Sequence, residues 1–271
     1  MANVSHEMVT FPGEEGPVQA YLVKPETNDA RSAVIVIHEI YGLSDFIRDM
    51  TNRFAELGYV ALAPNLFSRP SLIDVLTPSN IESVMQFNST IPREKMSDRS
   101  YVQQQISNLP PEKKDLVQRA FPLLFGGTLK EKLTQDLVKA VDYINNQSFV
   151  RPGKVGSVGF CFGGGLSINL ACHANLAADV VFYGENPNPI ELVENIHCPV
   201  VGIYGADDMR INSQLDNLVR AMVQYKRDFE MKIYTGAAHA FMNHTRKEVY
   251  RETASKDAWD RLVRFYERTL S

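Results

Sequence analysis

Apolar and polar side chains in the first third of the chain follow the spacings of strands and one helix. Residues 18–25 alternate and end at a proline, and residues 32–39 form a continuous apolar run, which predicts a strand buried on both faces. Residues 45–58 carry apolar side chains at helical spacing and end at a glycine, and residues 59–67 return to a strand pattern. This order of strand, helix and strand is typical of a parallel sheet.

Residues of about 68–127 interrupt the alternation. Prolines, polar residues and short helical patches follow one another there, and no strand pattern is evident. We expect a helical insertion over one end of the sheet within a single domain of residues 1–271, acting as a lid. The alternative is a helical layer packed elsewhere on the surface. A helix over 128–146 comes next, with Thr128 and Glu131 spaced as a capping box.

The remainder of the chain returns to alternating strands and helices. Strands are predicted at 154–160, 178–184, 198–205 and 229–236, and helices at 163–174 and 255–270. The pattern therefore predicts one doubly wound α/β domain, with a mostly parallel sheet and helices on both faces. In such folds the loops at the carboxyl ends of the strands form the functional site.

Composition and charge narrow the class of protein. The 271 residues are 44% hydrophobic and 22% charged, as in ordinary globular proteins. A formal net charge of −4 without a block of Lys and Arg argues against a nucleic-acid partner. We expect no membrane association, because no stretch approaches the roughly 18 apolar residues of a membrane span. No secretory signal is evident at the N-terminus, so we expect a cytoplasmic monomer or small homo-oligomer.

The three cysteines do not match a disulfide or metal-binding framework. Cys161, Cys172 and Cys198 are odd in number, and their spacing matches no disulfide or zinc pattern. The dipeptide His-Glu at 38–39 is followed by Gly42, where an H-E-x-x-H zinc motif would need histidine. We therefore expect reduced thiols, no metal and no cofactor.

One cysteine lies in a context that carries chemistry. The strand at 154–160 runs into a G-x-C-x-G sequence formed by Gly159, Cys161 and Gly163, and a helix follows. That context is required of a nucleophile elbow, whose sharp turn needs glycines. The start of the helix favours a thiolate. The alternative is a glycine-rich turn that holds a buried, inert cysteine.

An acid and a histidine follow two later strands. Asp207 and Asp208 lie in the sequence GADDMRIN, and His239 lies in GAAHAF. The order Cys, Asp, His matches that of the triads in α/β hydrolases. We assign the acid to Asp208, because a G-x-x-D spacing followed by the aliphatic Ile211 fits that loop better. The alternatives are an aspartate that merely caps a helix and a surface histidine.

Four stretches together resemble a known family. The sequences GFCFGG, GADD, GAAHAF and HEIYGL are similar to those of the dienelactone hydrolases (carboxymethylenebutenolidases) of the α/β-hydrolase superfamily, and the similarity covers nearly the whole chain. The resemblance implies an α/β-hydrolase fold and hydrolysis of small esters or lactones through an acyl-enzyme. It makes Cys161 the nucleophile, His239 the base and Asp208 its orienting partner.

The same resemblance suggests roles for further residues. Glu39 matches a glutamate that contacts the resting thiol and helps to activate it, and the backbone N–H groups of Ile40 and Phe162 match an oxyanion hole. Family members that act on dienelactone hold its carboxylate with arginines, one of them four residues past the histidine. Asn243 occupies that position here, with Arg246 further along. Both are candidate substrate-binding residues. The missing arginine at position 243 argues against dienelactone itself as the substrate. Hydrolysis of another ester or lactone is still expected.

Two other function classes are open at this point. A cysteine-based redox enzyme or sensor would need a resolving thiol, but the chain has no C-x-x-C motif, and Cys172 lies one helix away. A hydrolase-fold binding protein without chemistry is the other class, and the intact set of Cys, Asp and His argues against it.

Overall fold

An eight-stranded sheet organises the computed structural model, which describes residues 3–96 and 98–271. The strands are β1 (Val4–Pro12), β2 (Pro17–Pro25), β3 (Arg31–Ile37), β4 (Val60–Pro64), β5 (Val150–Phe160), β6 (Ala178–Phe182), β7 (Val200–Gly205) and β8 (Phe229–Tyr234). Their order in the sheet is β1-β2-β4-β3-β5-β6-β7-β8. β2 pairs antiparallel with both β1 and β4, and the other pairs are parallel. The predicted mostly parallel sheet is thereby confirmed.

Helices cover both faces of the sheet. They are α1 (Asp45–Glu56), α2 (Pro78–Thr90), α3 (Arg99–Ser107), α4 (Pro111–Phe125), α5 (Leu129–Asn145), α6 (Phe162–His173), α7 (Met209–Asn212), α8 (Leu215–Gln224) and α9 (Glu252–Thr269). In β3, Val34 and Val36 belong to the core with α1 and α9, whereas Ile35 and Ile37 belong to the core with α5, α6 and α8. This explains the continuous apolar run of β3, because both faces of the strand are buried. Among the described helices, none is long and apolar enough to cross a membrane.

The parallel strands bring distant residues to one edge of the sheet. β3, β5, β7 and β8 run in the same direction, so their carboxyl ends meet there. Glu39 follows β3, Cys161 follows β5, Asp208 follows β7 and His239 follows β8. The topology alone therefore gathers the four candidate residues.

The segment between β4 and α5 contains α2, α3 and α4 after a short 3₁₀ turn at Leu66–Ser68. The rings of Phe87 in α2 and Phe121 in α4 pack edge to face, with centroids 5.5 Å apart. Buried residues of all three helices continue into the core on the α5 and α6 side of the sheet. That this segment acts as a lid stays a prediction.

The predicted capping box before α5 is wrong. Thr128 does precede the helix, but its side chain makes no cap hydrogen bond. Its backbone is already helical, with φ −73° and ψ −20°. A capping side chain needs an extended residue to turn back toward the free N–H groups, so Thr128 cannot fill this role.

A buried ion-pair cluster ties α5 to the β1–β2 turn. The guanidinium of Arg69, only 1% exposed, lies 3.0 Å from the carboxylate of the fully buried Asp136 and 2.9 Å from that of Glu15. Asp136 also accepts a hydrogen bond of 2.8 Å from the backbone N–H of Glu14. Lys132 adds a further ion pair to Glu15 at 3.1 Å. The cluster joins three segments that are distant in sequence.

Loss of one partner in this cluster should destabilise the fold. We expect Asp136→Ala to lower the free energy of unfolding by about 3 kcal/mol, because it leaves the Arg69 charge buried with Glu15 as its remaining partner. Chemical denaturation measures this effect. The control is Asp115→Ala, which removes an exposed ion pair with Arg119 and should change stability by less than about 0.5 kcal/mol. Equal effects of the two substitutions would show that the cluster contributes no more than a surface pair.

Candidate active site

Cys161 occupies a strained turn between β5 and α6. Its φ of 57° and ψ of −116° are uncommon for a residue with a side chain. A 3.0 Å hydrogen bond from its N–H to the carbonyl of Phe182 holds the turn. A Cβ atom at Gly159 would lie 1.9 Å from the carbonyl oxygen of Gly163, and one at Gly163 would lie 2.4 Å from that of Ile37. The two glycines are therefore a steric requirement of this elbow.

The structure brings Cys161, His239 and Asp208 into one hydrogen-bonded chain. His239 Nε2 lies 3.0 Å from Cys161 Sγ, and His239 Nδ1 lies 2.5 Å from Asp208 Oδ2. Asp208 is only 5% exposed, whereas Asp207 lies at the surface with its N–H bonded to the carbonyl of Ala237. Of the two adjacent aspartates, the structure places Asp208 against the histidine.

The electrostatics of this chain favour an ion pair. Burial lowers the pKa of His239, but the Cys161 charge and the hydrogen bonds to Asp208 and Cys161 outweigh burial and raise that pKa to about 10. The arrangement therefore favours a protonated His239 between the sulfur of Cys161 and the carboxylate of Asp208. Burial raises the pKa of both Cys172 and Cys198 to about 12, so these two thiols stay protonated near neutral pH.

Asp208 has two structural tasks. Its Oδ2 faces His239, while its Oδ1 accepts a 3.5 Å hydrogen bond from the N–H of Ile211 at the start of the short helix α7. Asn212 donates to the carbonyl of Gly205 at 2.9 Å and fixes the same loop. Asp208 therefore caps helix α7 and also binds His239, so the two interpretations of this aspartate are both met.

Glu39 lies beside this chain, and its hydrogen bond goes to Asn243. The carboxylate is 3% exposed, and Asn243 Nδ2 donates to its Oε2 at 2.7 Å. Asn243 Oδ1 accepts from the Thr245 N–H at 3.1 Å and the Thr245 hydroxyl at 2.7 Å, which fixes the orientation of the amide. Burial raises the pKa of Glu39, against the opposing effects of Asn243 and of the His239 and Arg246 charges.

Cys161 and Glu39 have different side-chain partners in this structure. The observed contact of the Cys161 thiol is with His239, and that of Glu39 is with Asn243. Asn243, expected as a substrate-binding residue, uses its side-chain atoms within the protein. Arg246 is 39% exposed and pairs with Glu248 at 2.9 Å.

The two candidate oxyanion N–H groups belong to the segments that follow β3 and β5. Phe162 is the first residue of α6, so its N–H has no acceptor within the helix. Ile40 lies in the segment after β3, which His38 holds in place. The Leu66 N–H donates to His38 Nε2 at 3.2 Å, so His38 Nδ1 carries the proton and donates to the Glu39 carbonyl at 2.6 Å. Burial lowers the pKa of His38 to about 4, which keeps this ring neutral.

Tyr183 is a site residue that the sequence reasoning missed. It follows β6 with φ 40°, and its ring centroid lies 5.0 Å from that of His239 and 5.6 Å from that of Phe241. Tyr183 follows a parallel strand, as the predicted site residues do, but its position is the one signal that the sequence offers. Its ring therefore packs beside the imidazole of His239.

The mostly parallel sheet, the strained cysteine turn after β5 and the paired histidine and aspartate after later strands define an α/β hydrolase. A family model described as "Dienelactone hydrolase family" matches residues 18–270, and the chain belongs to this family. A Saccharolobus solfataricus protein named "Putative carboxymethylenebutenolidase" is 39% identical over 260 residues, which cover 96% of this chain and 97% of that protein.

Two further similarities agree with the family. A Bradyrhizobium protein named "Probable 2-oxo-3-(5-oxofuran-2-ylidene)propanoate lactonase" is 27% identical over 252 residues, which cover 89% of this chain and 85% of that protein. The crystal structure of a protein described as "Putative Dienelactone Hydrolase", from Klebsiella pneumoniae subsp. pneumoniae, superposes with a TM-score of 0.72 at 22% identity. It covers 98% of this chain and 99% of the other, and this likeness concerns the fold.

Proposed function

We propose that this protein hydrolyses small carboxylic esters or lactones through an acyl-enzyme on Cys161. The observation that carries the proposal is the continuous chain Cys161–His239–Asp208, with contacts of 3.0 and 2.5 Å. Family membership supports it, and so does the lactonase name of the Bradyrhizobium relative. Side chains, backbone and water supply every step below, so the proposal requires no cofactor.

Acylation forms one carbon–sulfur bond and breaks one carbon–oxygen bond. The Cys161 thiolate attacks the carbonyl carbon of the substrate, and the electron pair of the carbonyl moves to its oxygen. The N–H groups of Ile40 and Phe162 stabilise this oxyanion. When the intermediate collapses, the alkoxide leaves and takes the proton of the His239 imidazolium. For a lactone, the leaving oxygen stays attached to the acyl group.

Deacylation restores the enzyme with one water molecule. Neutral His239 takes a proton from a water molecule while the oxygen of that water attacks the thioester carbonyl carbon. The carbon–sulfur bond then breaks and the thiolate leaves. The carboxylic acid is released, and the imidazolium–thiolate pair forms again. Asp208 holds Nδ1 protonated throughout, which presents Nε2 to the sulfur, the leaving oxygen and the water in turn.

Glu39 and the insertion complete the proposal. In this proposal, a bound substrate breaks the hydrogen bond between Glu39 and Asn243, and the Glu39 carboxylate then helps to activate the Cys161 thiol. Glu39 directly precedes Ile40, whose N–H belongs to the proposed oxyanion hole. Helices α2, α3 and α4 act as a lid that admits the substrate, because α2 forms one wall of the cleft that reaches Glu39.

A chromogenic ester tests the proposed reaction. We expect turnover of para-nitrophenyl acetate without added thiol, peroxide or metal, because the three side chains supply the nucleophile, the base and its orientation. The measurement is continuous release of para-nitrophenolate, with a burst if deacylation is the slow step. Turnover that appears only with peroxide or a thiol would instead indicate a redox enzyme, and no turnover of any ester or lactone would indicate a binding protein.

A further inference from the structure

A large cleft opens beside the candidate active site. Its volume is about 1060 Å³, and it lies between the segment after β3 and helix α2. Its apolar lining residues include Tyr41, Leu43, Phe67, Leu76, Ile81 and Met85. Pockets for small ligands usually measure about 300–1,000 Å³, so this cleft has room for far more than an acetyl group or a five-membered lactone.

One end of the cleft lies at the segment after β3 that contains Ile40. Glu39 and Tyr41, the two neighbours of Ile40, line it. Phe67, on the opposite wall, contacts the ring of Phe162, with centroids 6.3 Å apart. The cleft therefore begins next to Ile40 and Phe162, whose N–H groups form the proposed oxyanion hole.

The charges on the wall do not favour an anionic ligand. Three carboxylates line the cleft, those of Glu39, Asp45 and Glu82, against the guanidinium groups of Arg48 and Arg246. Arg246 is paired with Glu248 outside the cleft wall, and Arg48 lies over the ring of Tyr21, 4.8 Å from its centroid. A neutral ligand fits this balance better than a carboxylate does.

Apolar side chains also remain exposed at the rim. Met8 is 51% exposed and Ile73 is 44% exposed, and both line the cleft. Polar residues such as Gln19, Asn65 and Gln86 also line the cleft, and an aliphatic chain would pack against its apolar side chains.

We propose that this cleft binds an unbranched aliphatic acyl chain of a neutral ester, so that the enzyme prefers esters of medium-length fatty acids over acetates. This inference rests on the proposed function. The chain in the cleft is the acyl group, because the leaving oxygen must lie within hydrogen-bond reach of His239. His239 does not line the cleft, whereas the residues around the oxyanion site do.

The first measurement compares acyl chains at one leaving group. For para-nitrophenyl acetate, butyrate, hexanoate and octanoate, we expect kcat/KM to rise by about 10- to 100-fold from acetate to octanoate. The limit is about fourfold for each methylene that becomes fully buried, so this range corresponds to partial burial of the chain. A flat series or a preference for acetate overturns the inference. A preference for octyl acetate, with no preference among acyl chains, overturns the acyl assignment.

A charge in the cleft provides the second measurement. Met85 is partly buried on α2, and Lys has a similar length and no branch, so Met85→Lys is compatible with the helix. We expect the ratio of kcat/KM for para-nitrophenyl octanoate over the acetate to fall about tenfold. The ratio for para-nitrophenyl hemiglutarate over the acetate should rise, because its acyl chain ends in a carboxylate that the lysine attracts. Met85→Trp, which narrows the cleft, should lower the octanoate ratio as well and serves if the lysine variant does not fold.

The matched control makes the same change elsewhere. Met231 lies on β8, is 42% exposed and does not line the cleft, so Met231→Lys should leave both ratios unchanged. Equal changes in Met231→Lys and Met85→Lys would overturn the inference. If the wild-type protein hydrolyses acetate and octanoate equally well, this inference fails while the proposed function stands. If it hydrolyses neither, the proposed function itself fails.

Discussion

Cys161→Ala should abolish ester turnover while the fold persists. We expect kcat for para-nitrophenyl acetate to fall by about four to six orders of magnitude, to the residual rate that binding and oxyanion contacts provide. The physical reason is that the alanine side chain carries no nucleophile 3.0 Å from His239 Nε2. Steady-state release of para-nitrophenolate measures the loss, and circular dichroism with thermal melting reports the fold.

The other two cysteines are the controls for this experiment. Cys172 is 4% exposed and Cys198 is 6% exposed, and both have pKa values near 12, so neither presents a thiolate to a substrate. Cys172→Ala and Cys198→Ala should keep kcat within about twofold and lose some stability through the small cavities that they leave. Near-normal activity of Cys161→Ala with loss in either control would place the nucleophile elsewhere.

The strand order explains why much of the candidate site could be anticipated from the sequence. Cys161, Asp208 and His239 each follow a predicted strand within a few residues, and parallel strands end at a common edge. A local pattern and one topological rule are enough to place them together. Tyr183 satisfies the same rule, but a tyrosine after a strand has no chemical signature that separates it from core packing.

β1 was not predicted because its pattern is weak. Most of its residues are exposed or partly exposed, and only Phe11 is buried. The strand exists because the turn at Gly13 and Gly16 folds it onto β2, with pairing from Val4–Pro25 to Pro12–Pro17. An edge strand of this kind depends on its partner more than on its own hydrophobic pattern.

α8 was also missed, although its signal was present. Leu215, Leu218 and Met222 follow helical spacing. Leu218 and Met222 belong to the core on the α5 and α6 side of the sheet, and Leu215 packs with Tyr204 of β7. In contrast, two side-chain contacts had no local signal. Asn243 and Glu39 are 204 residues apart in sequence, and Arg69 meets Asp136 only after α5 has packed. Long-range polar partners follow from the tertiary arrangement and cannot be read from spacing.

Asp208→Asn should be the second most damaging substitution in the site. We expect kcat to fall by about 10⁴-fold, because an amide at this position can donate to His239 Nδ1 and so favours the tautomer with the proton on Nε2, which cannot accept one from water. The pKa of His239, raised to about 10 in part by Asp208, should also fall, which weakens the imidazolium–thiolate pair at neutral pH.

Two readouts separate this role of Asp208 from a structural one. Alkylation of Cys161 by iodoacetamide at neutral pH should slow in Asp208→Asn, because His239 becomes a weaker acceptor for the thiol proton once it loses its carboxylate partner. The melting temperature should change little, since the amide oxygen can still accept from the Ile211 N–H.

Asp207→Asn is the matched control. Asp207 is exposed, and its backbone N–H, which the substitution keeps, donates to the carbonyl of Ala237. It should keep both kcat and the alkylation rate within about twofold. If Asp207→Asn were the damaging variant and Asp208→Asn the mild one, the acid of this site would be Asp207.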